Sequence, residues 1–291
     1  MKVKSRKARI GDYIIAIICF ILILICIIPI LSVAARSMSS AGALMRKEVF
    51  LWPVGFNMDA YVRVLQTTKY TWSLLWTAIL TLMGVILSLA MTAMIAYPLT
   101  YDNLKGQKFF NALAIFTMYF GAGTIPMYLL LKEIGMLNTW PVLLVPYCLS
   151  IFNMIIMRSF IYAIPESLKE SAEMDGAGPI RVLVSIILPL CKPVIATLAL
   201  FYAVGRWNGY SDALYFLSPR QESYYPIQML LYQLIQNTMS VDPAQEAFTQ
   251  PGVTETLQMA SVMIATIPIL CVYPWLQRYF VAGVTLGAEK G

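Results

Sequence analysis

The sequence predicts an all-α, polytopic membrane protein with six transmembrane helices, and three observations predict it. Hydrophobic residues fill 59% of the 291 positions and charged residues 12%, about half the charged share of an ordinary soluble domain. Mean hydropathy is +0.70. Six stretches, near 13–35, 72–98, 109–131, 140–160, 193–217 and 257–280, hold few charges, and each is close to the roughly 20 apolar residues that cross a hydrocarbon core as a helix. None shows the period-two alternation of a barrel strand, and lipid admits only helices or closed barrels because it satisfies no backbone polar group.

Residues 1–12 form a basic tail in which Lys2, Lys4, Arg6, Lys7 and Arg9 suit anionic headgroups. Nucleic acid is the poorer match, because the cluster runs straight into an apolar span. Tyr13 to Ala35 exceeds the roughly 7 to 15 residues of a signal-peptide core, so it reads as an uncleaved first span opening one transmembrane domain over 13–291. An even span number puts both termini on one side. Of the 21 Lys and Arg, 13 fall on that side and 7 on the other, with Arg206 inside a span, which makes the terminal side cytoplasmic by the positive-inside rule.

Pro29, Pro98, Pro126, Pro146 and Pro268 sit in or beside spans, where a missing N–H frees a carbonyl and can kink the helix. Gly205-x-x-x-Gly209 and Gly283-x-x-x-Gly287 permit close approach of backbones. Helix packing accounts for all of these more simply than a gating hinge does. The five cysteines, Cys19, Cys26, Cys148, Cys191 and Cys271, lie in or beside apolar runs without a C-x-x-C and read as packing thiols. Histidine is absent, which removes the usual general base and the commonest metal ligand.

Between spans four and five, a loop over 161–192 reads Ile164-Pro165-Glu166-Ser167-Leu168-Lys169-Glu170-Ser171-Ala172-Glu173-Met174-Asp175-Gly176-Ala177-Gly178-Pro179, and ends Ile186-Ile187-Leu188-Pro189. Pro165 suits a first helical position, Glu166 favours the positive end of the helix dipole, Gly176 suits a left-handed helix end, and Pro179 can start a second helix. The pattern predicts a helix, a glycine break and a helix. Such an element is either an ordinary amphipathic surface loop or a stiff knob that enters a groove on another protein, and spacing alone does not choose.

The spacing Glu170-Ser171-Ala172-x3-Gly176-x9-Ile186-x-Leu188-Pro189, with Asp175-Gly176-Ala177 at its centre, resembles the EAA motif of binding-protein-dependent ABC importer permeases. Six spans, Trp207-Asn208 late in span five and the ending Gln277-Arg278-Tyr279-Phe280-Val281 through Gly291 are similar to carbohydrate-type permeases related to the maltose permease family, and most similar to those for complex polysaccharide fragments. The resemblance implies a type I ABC importer transmembrane domain whose loop docks on a cytoplasmic ATPase dimer and transmits its closure to the pore. It assigns that coupling to Glu170, Ser171, Ala172, Asp175, Gly176, Ala177, Leu183, Ile186, Leu188 and Pro189. Ser171 stands where alanine is usual, and Leu183 where many relatives carry an aromatic, a change that would loosen docking or mark a different ATPase partner. It further implies a second, homologous permease subunit, two ATPase subunits, and an extracytoplasmic solute-binding protein. The chain has no G-x-x-x-x-G-K-[ST], so no P-loop of its own. No cofactor is expected in this chain, and ATP and Mg belong to the partner ATPase.

A sugar path needs aromatic faces and hydrogen-bonding groups in wet surroundings. Span five offers Tyr202, Arg206, Trp207, Asn208, Tyr210 and Asp212. Helical spacing puts Tyr202, Arg206 and either Gly209 or Tyr210 on one face and turns Trp207 and Asn208 aside. Arg206 is either a reader of acidic sugars or, more commonly for such an arginine, a salt-bridge or snorkelling group, with Asp212 at hand. Tyr119 and Tyr128 suit the interfacial belt. Outside the membrane, Ile227, Leu230, Leu231, Leu234 and Ile235 make an amphipathic helix, and the polar stretch from Ser240 to Glu255 follows it. This segment either meets the binding protein or packs over the bundle.

A membrane-embedded enzyme would need carboxylates, a nucleophile and base, or metal ligands converging at one depth, and the spans offer none. A scaffold or ATP-independent pore explains six spans but not the loop motif, and a permease for a non-carbohydrate solute differs only in what the resemblance to sugar permeases supplies.

Overall fold

The computed structural model describes residues 6–239 and 251–288, and every regular element in them is helical. Lys2, Lys4, Lys290, Gly291 and positions 240–250 of the polar outer stretch lie outside the described residues. The chain divides into two compact units, Met1–Thr71 with Gln233–Ile267, and Trp72–Tyr232 with Pro268–Gly291.

The first unit opens with α1 (Arg6–Ser37), which already turns helical inside the basic tail. Its side chains from 12 to 31 are exposed, as expected of an apolar helix whose solvent is lipid. Two short helices follow, α2 (Ala41–Met45) and α3 (Asp59–Gln66). Ser40 caps α2 by accepting from the Ala43 N–H, satisfying a donor the helix start leaves open. The Ser39 hydroxyl donates to Ala35 O and accepts from the Val54 N–H, and Ser37 and Tyr61 pair their hydroxyls at 2.7 Å. These bonds fold the basic loop after α1 onto a small core of Ala35, Ala43, Leu44 and Val49.

The second unit is built on α4 (Thr68–Ala96), whose apolar run continues to Thr100. Two more unbroken helices qualify as candidate spans, Asp12–Ser37 within α1 and Gly252–Val272 within α14 (Pro251–Ala288), so among the described residues three are long and apolar enough to cross a membrane unaided. Three bent helix pairs raise the number to six if each is one span. The first is α5 (Gln107–Tyr119) with α6 (Thr124–Glu133), bent by 115°. The sequence reads 109–131 as one continuous helix, and Phe120-Gly121-Ala122-Gly123 breaks it where Gly123 takes φ 87°. A second pair joins Trp140–Tyr147, two 3-10 turns carrying Pro141 and Pro146, to α7 (Ile151–Tyr162) at 50°. The third joins Pro179–Leu190 to α11 (Lys192–Trp207) at 85°.

That third pair contains α8 (Glu166–Met174) only as its neighbour, followed by α9 (Pro179–Val182), a π turn over Leu183–Ile187, and α10 (Leu188–Leu190). The sequence runs span five unbroken through 193–217. Instead α11 ends at Trp207, its Asn208 C-cap closed by an N–H bond to Val204 O and Gly209 N–H bonding Arg206 O, before α12 (Ser211–Phe216) begins. Pro29 and Pro268 lie inside long helices, while Pro98 and Pro146 open 3-10 turns.

Met154, Met157 and Ile161 of α7 pack with Tyr97 and Leu99, Val182, Leu183 and Ile187, and Val194 and Leu198 in the main core. Arg158 ties the same region by donating to Leu99 O at 3.0 Å and to Asn111 Oδ1 at 2.9 Å. The amphipathic helix α13 (Ile227–Met239) buries Ile227, Leu230 and Leu231 but leaves Ile235 exposed. Its Ile227 N–H donates to the Thr77 hydroxyl, and Trp72 and Trp76 donate to Ser223 O and Tyr224 O just before it. The start of this helix is packed onto the second unit.

Candidate functional site

Two places gather the residues marked by the sequence. In the loop, α8 begins behind Pro165 and ends in a Schellman pair, Gly176 N–H to Glu173 O at 3.0 Å and Ala177 N–H to Ala172 O at 2.9 Å. That closure requires a left-handed residue, and Gly176 takes φ 77°. Nothing lies within 4 Å of a Cβ built there, so conformation and not crowding selects glycine.

The motif residues divide by exposure. Glu170, Ser171, Asp175, Gly176 and Pro189 are exposed, whereas Ala172, Ala177, Ile186 and Leu188 are half-buried against the main core. Leu183 is buried within that core. Its side chain turns toward the core instead of standing in solvent beside Glu170 and Ser171. A change there acts through the seat of the loop, where Leu183, Met94, Tyr97, Pro98 and Pro179 line a cavity of about 470 Å³.

Sequence reasoning missed two residues of the outward face. Met174 is 88% exposed and Ile180 79%, an apolar pair on either side of the glycine break. The signal for Met174 was present, since it lies four residues beyond Glu170 and so on the same helix face. The adjacent side of α8 is held by its own chain. Lys169 is buried, its ammonium 5.6 Å from the centre of the Tyr101 ring, and Glu173 accepts a hydrogen bond from the Tyr101 hydroxyl at 3.2 Å. Tyr101 lies just beyond the end of α4. Burial above all, with the charge of Glu173 beside it, raises its pKa above the ordinary phenolic value, so it stays a donor.

The second place is a polar cavity of about 360 Å³ lined by Gly84, Ser88, Tyr147, Ser150, Asn153, Tyr202, Arg206 and Asp212, among others. Arg206 donates to Asp212 Oδ2 at 2.8 Å, with the two side chains only 16% and 18% exposed. The Tyr202 hydroxyl is 2.7 Å from the Thr92 hydroxyl and accepts from the Ser150 N–H at 3.3 Å. Ser150 sits at the break before α7, so Tyr202 satisfies a backbone donor that the bend exposes. Trp207 and Asn208 turn away and line an apolar cavity of about 490 Å³ with Leu82, Ala199, Ala203 and Pro268. Tyr210 stacks on Tyr232 with ring centres 5.0 Å apart. Of the six residues that span five offers, the cavity thus takes Tyr202, Arg206 and Asp212. Ser88, Thr92, Tyr147, Ser150 and Asn153 were missed because each is an unremarkable polar residue in its own segment. Among the described residues, no three His, Cys, Asp or Glu gather as metal ligands.

A family model described as binding-protein-dependent transport system inner membrane component matches residues 7–286. The polygalacturonan/rhamnogalacturonan transport system permease protein YtcP of Bacillus subtilis (strain 168) is 36% identical over 98% of this chain and 100% of its own length. Protein LplC of the same organism is 37% identical over 92% and 90%. Among solved structures, a chain of a bacterial ABC transporter involved in the import of the acidic polysaccharide alginate is 33% identical, with TM-score 0.87 over 96% of this chain and 100% of that one. A chain of a bacterial alginate ABC transporter in complex with a pentasaccharide-bound periplasmic protein shares the fold alone, at 17% identity and TM-score 0.57. The chain belongs to the family of binding-protein-dependent transport system inner membrane components, transport subunits and not catalysts.

Proposed function

We propose that the chain is the permease subunit of an ATP-driven importer that takes up an oligosaccharide delivered by an extracytoplasmic solute-binding protein. The observation that carries this reading is the loop element, an outward face of Glu170, Ser171, Met174 and Ile180 on a base sunk in the core of α7 and α11. Force on that face reaches membrane helices through packed side chains and not through a slack linker. Similarity to permeases named for polygalacturonan and alginate supports a complex carbohydrate as the solute.

In this reading both termini and the loop face the cytoplasm of a prokaryotic cell, as the basic tail and the excess of Lys and Arg on that side support. Two ATPase subunits bind ATP and Mg and close on the loop, and a homologous second permease completes the pore. The polar cavity beside Arg206 belongs to the path, and because Asp212 neutralises Arg206 the cavity selects by hydrogen bonding and shape more than by net charge. Ser171 for alanine leaves the exposed face nearly unchanged in size.

The test is Glu170→Lys in the assembled transporter. Reversing an exposed charge on the docking face should lower ATPase-coupled uptake about tenfold or more while membrane insertion and thermal stability stay at the parent level. Uptake equal to the parent's would remove the coupling assignment.

A further inference from the structure

The inner face of α8 carries a device that coupling through α7 and α11 does not use. Lys169 and Glu173 are four residues apart, so they project from one side of the helix, and both close on a single side chain, Tyr101. The ammonium of Lys169 lies over its ring, a cation–π geometry. A carboxylate can only accept, so the Tyr101 O–H must be spent on Glu173 at 3.2 Å. That direction fixes the next bond: the Tyr97 hydroxyl, 2.5 Å from that of Tyr101, is the donor to it. Tyr97 is buried, and its ring meets the Tyr101 ring edge to face at 5.3 Å. The result is one chain from the far end of α4 to the loop, Tyr97 to Tyr101 to Glu173.

Packing joins the end of α4 to the second half of the loop, where Tyr97 and Leu99 share the main core with Val182, Leu183 and Ile187, whereas the tie from Tyr101 to α8 runs through the hydrogen bond and the cation–π contact. The space between the end of α4 and the loop is the cavity of about 470 Å³ lined by both tyrosines, Glu173, Ile180 and Leu183, and an open cavity transmits no thrust. Toward α8 the polar chain bridges that space. Val182, Leu183 and Ile187, which follow α8, are instead held by continuous apolar contact with Tyr97, Leu99, α7 and α11.

We infer that Tyr101, clamped by Lys169 and Glu173 and backed by Tyr97, is a positioning latch that makes the end of α4 move with α8 when a partner acts on the loop. The inference rests on the coupling role proposed above. It adds a third helix to the two that flank the loop, and α4 contributes Gly84 and Ser88 to the polar cavity. The latch therefore connects the loop to the cavity wall by a route other than α11.

Hydrogen exchange of the assembled complex with its ATPase subunits, with and without ATP plus vanadate, reads this without knowledge of the solute. In the parent, nucleotide should change exchange both at 166–176 and at 97–107. In Tyr101→Phe and in Glu173→Leu, the response at 97–107 should fall about tenfold, the scale of one charge-assisted hydrogen bond, while that at 166–176 persists. Glu173→Gln, which keeps an acceptor oxygen, should retain most of it, and this rescue separates loss of the bond from general disruption. An undiminished response at 97–107 in Tyr101→Phe, or none there in the parent while 166–176 responds, overturns the latch. No response at 166–176 in the parent instead overturns the coupling role of the loop.

Discussion

The loop element and the polar cavity are both rich in polar side chains, yet they use them in opposite ways. On the outward face of α8, Glu170, Ser171 and Asp175 stand in solvent beside an exposed Met174. In the cavity, Arg206 is matched to Asp212, and Tyr202 to Thr92 and Ser150. One region leaves its polar chemistry open to a partner; the other closes it within the chain. Substitutions on the loop face should therefore cost function before stability, and substitutions in the cavity stability before function.

The largest expected effect would break that contrast most sharply. Asp212→Ala leaves the Arg206 guanidinium unpaired in a site where both side chains are less than a fifth exposed. Breaking such a pair costs about 3–5 kcal/mol, with the lower end favoured by the residual exposure. Arg206→Met with Asp212→Leu should recover most of the loss, since the apolar pair has no charge to desolvate. Thermal unfolding of the detergent-solubilised chain checks both, and an Asp212→Ala protein as stable as the parent would show that the cavity is no closed network.

The same contrast explains how much was legible in the sequence. Everything that shapes the loop acts within a few residues: Pro165 before α8, Glu166 in its first turn, Gly176 at its end and Pro179 at the next start. Short-range signals of that kind survive in a one-dimensional reading. The cavity instead needs Ser88, Tyr147, Asn153, Tyr202 and Asp212 from segments more than a hundred positions apart at the extremes, brought together only by packing. The breaks at 120–123, 148–150 and 208–210 follow the same rule. Glycine marks the first and third, and Pro146 stands two residues before the second, but an apolar count over 20 residues averages across them. The burial of Leu183 was not legible either, because a motif gives position along the chain and not the side of the loop that faces the core.

A middling effect comes from Tyr202→Phe. It removes the acceptor of the Ser150 N–H and the partner of the Thr92 hydroxyl together, and orphaned buried polar groups cost about 1–3 kcal/mol each. Thr92→Val should cost less, because Tyr202 can still accept from Ser150. The double variant should fall short of the sum of the singles, and a double-mutant cycle by chemical denaturation measures that shortfall. Strict additivity would mean that the three groups do not form one network.

The smallest effect belongs to Gly176→Ala, and it tests the loop side of the contrast. A methyl there meets nothing within 4 Å, so no packing term enters. What remains is the left-handed backbone at φ 77°, which costs a residue with a Cβ about 1–2 kcal/mol. Asn tolerates that region better, so Gly176→Asn should be the milder change, and a ladder Gly, Asn, Ala in thermal stability is expected. Because the hinge belongs to the exposed tip, ATPase-coupled uptake should fall further along this ladder than stability does. If the two fell in step, the loop would be acting as part of the fold and not as a contact surface, and its likeness to the cavity would outweigh the difference.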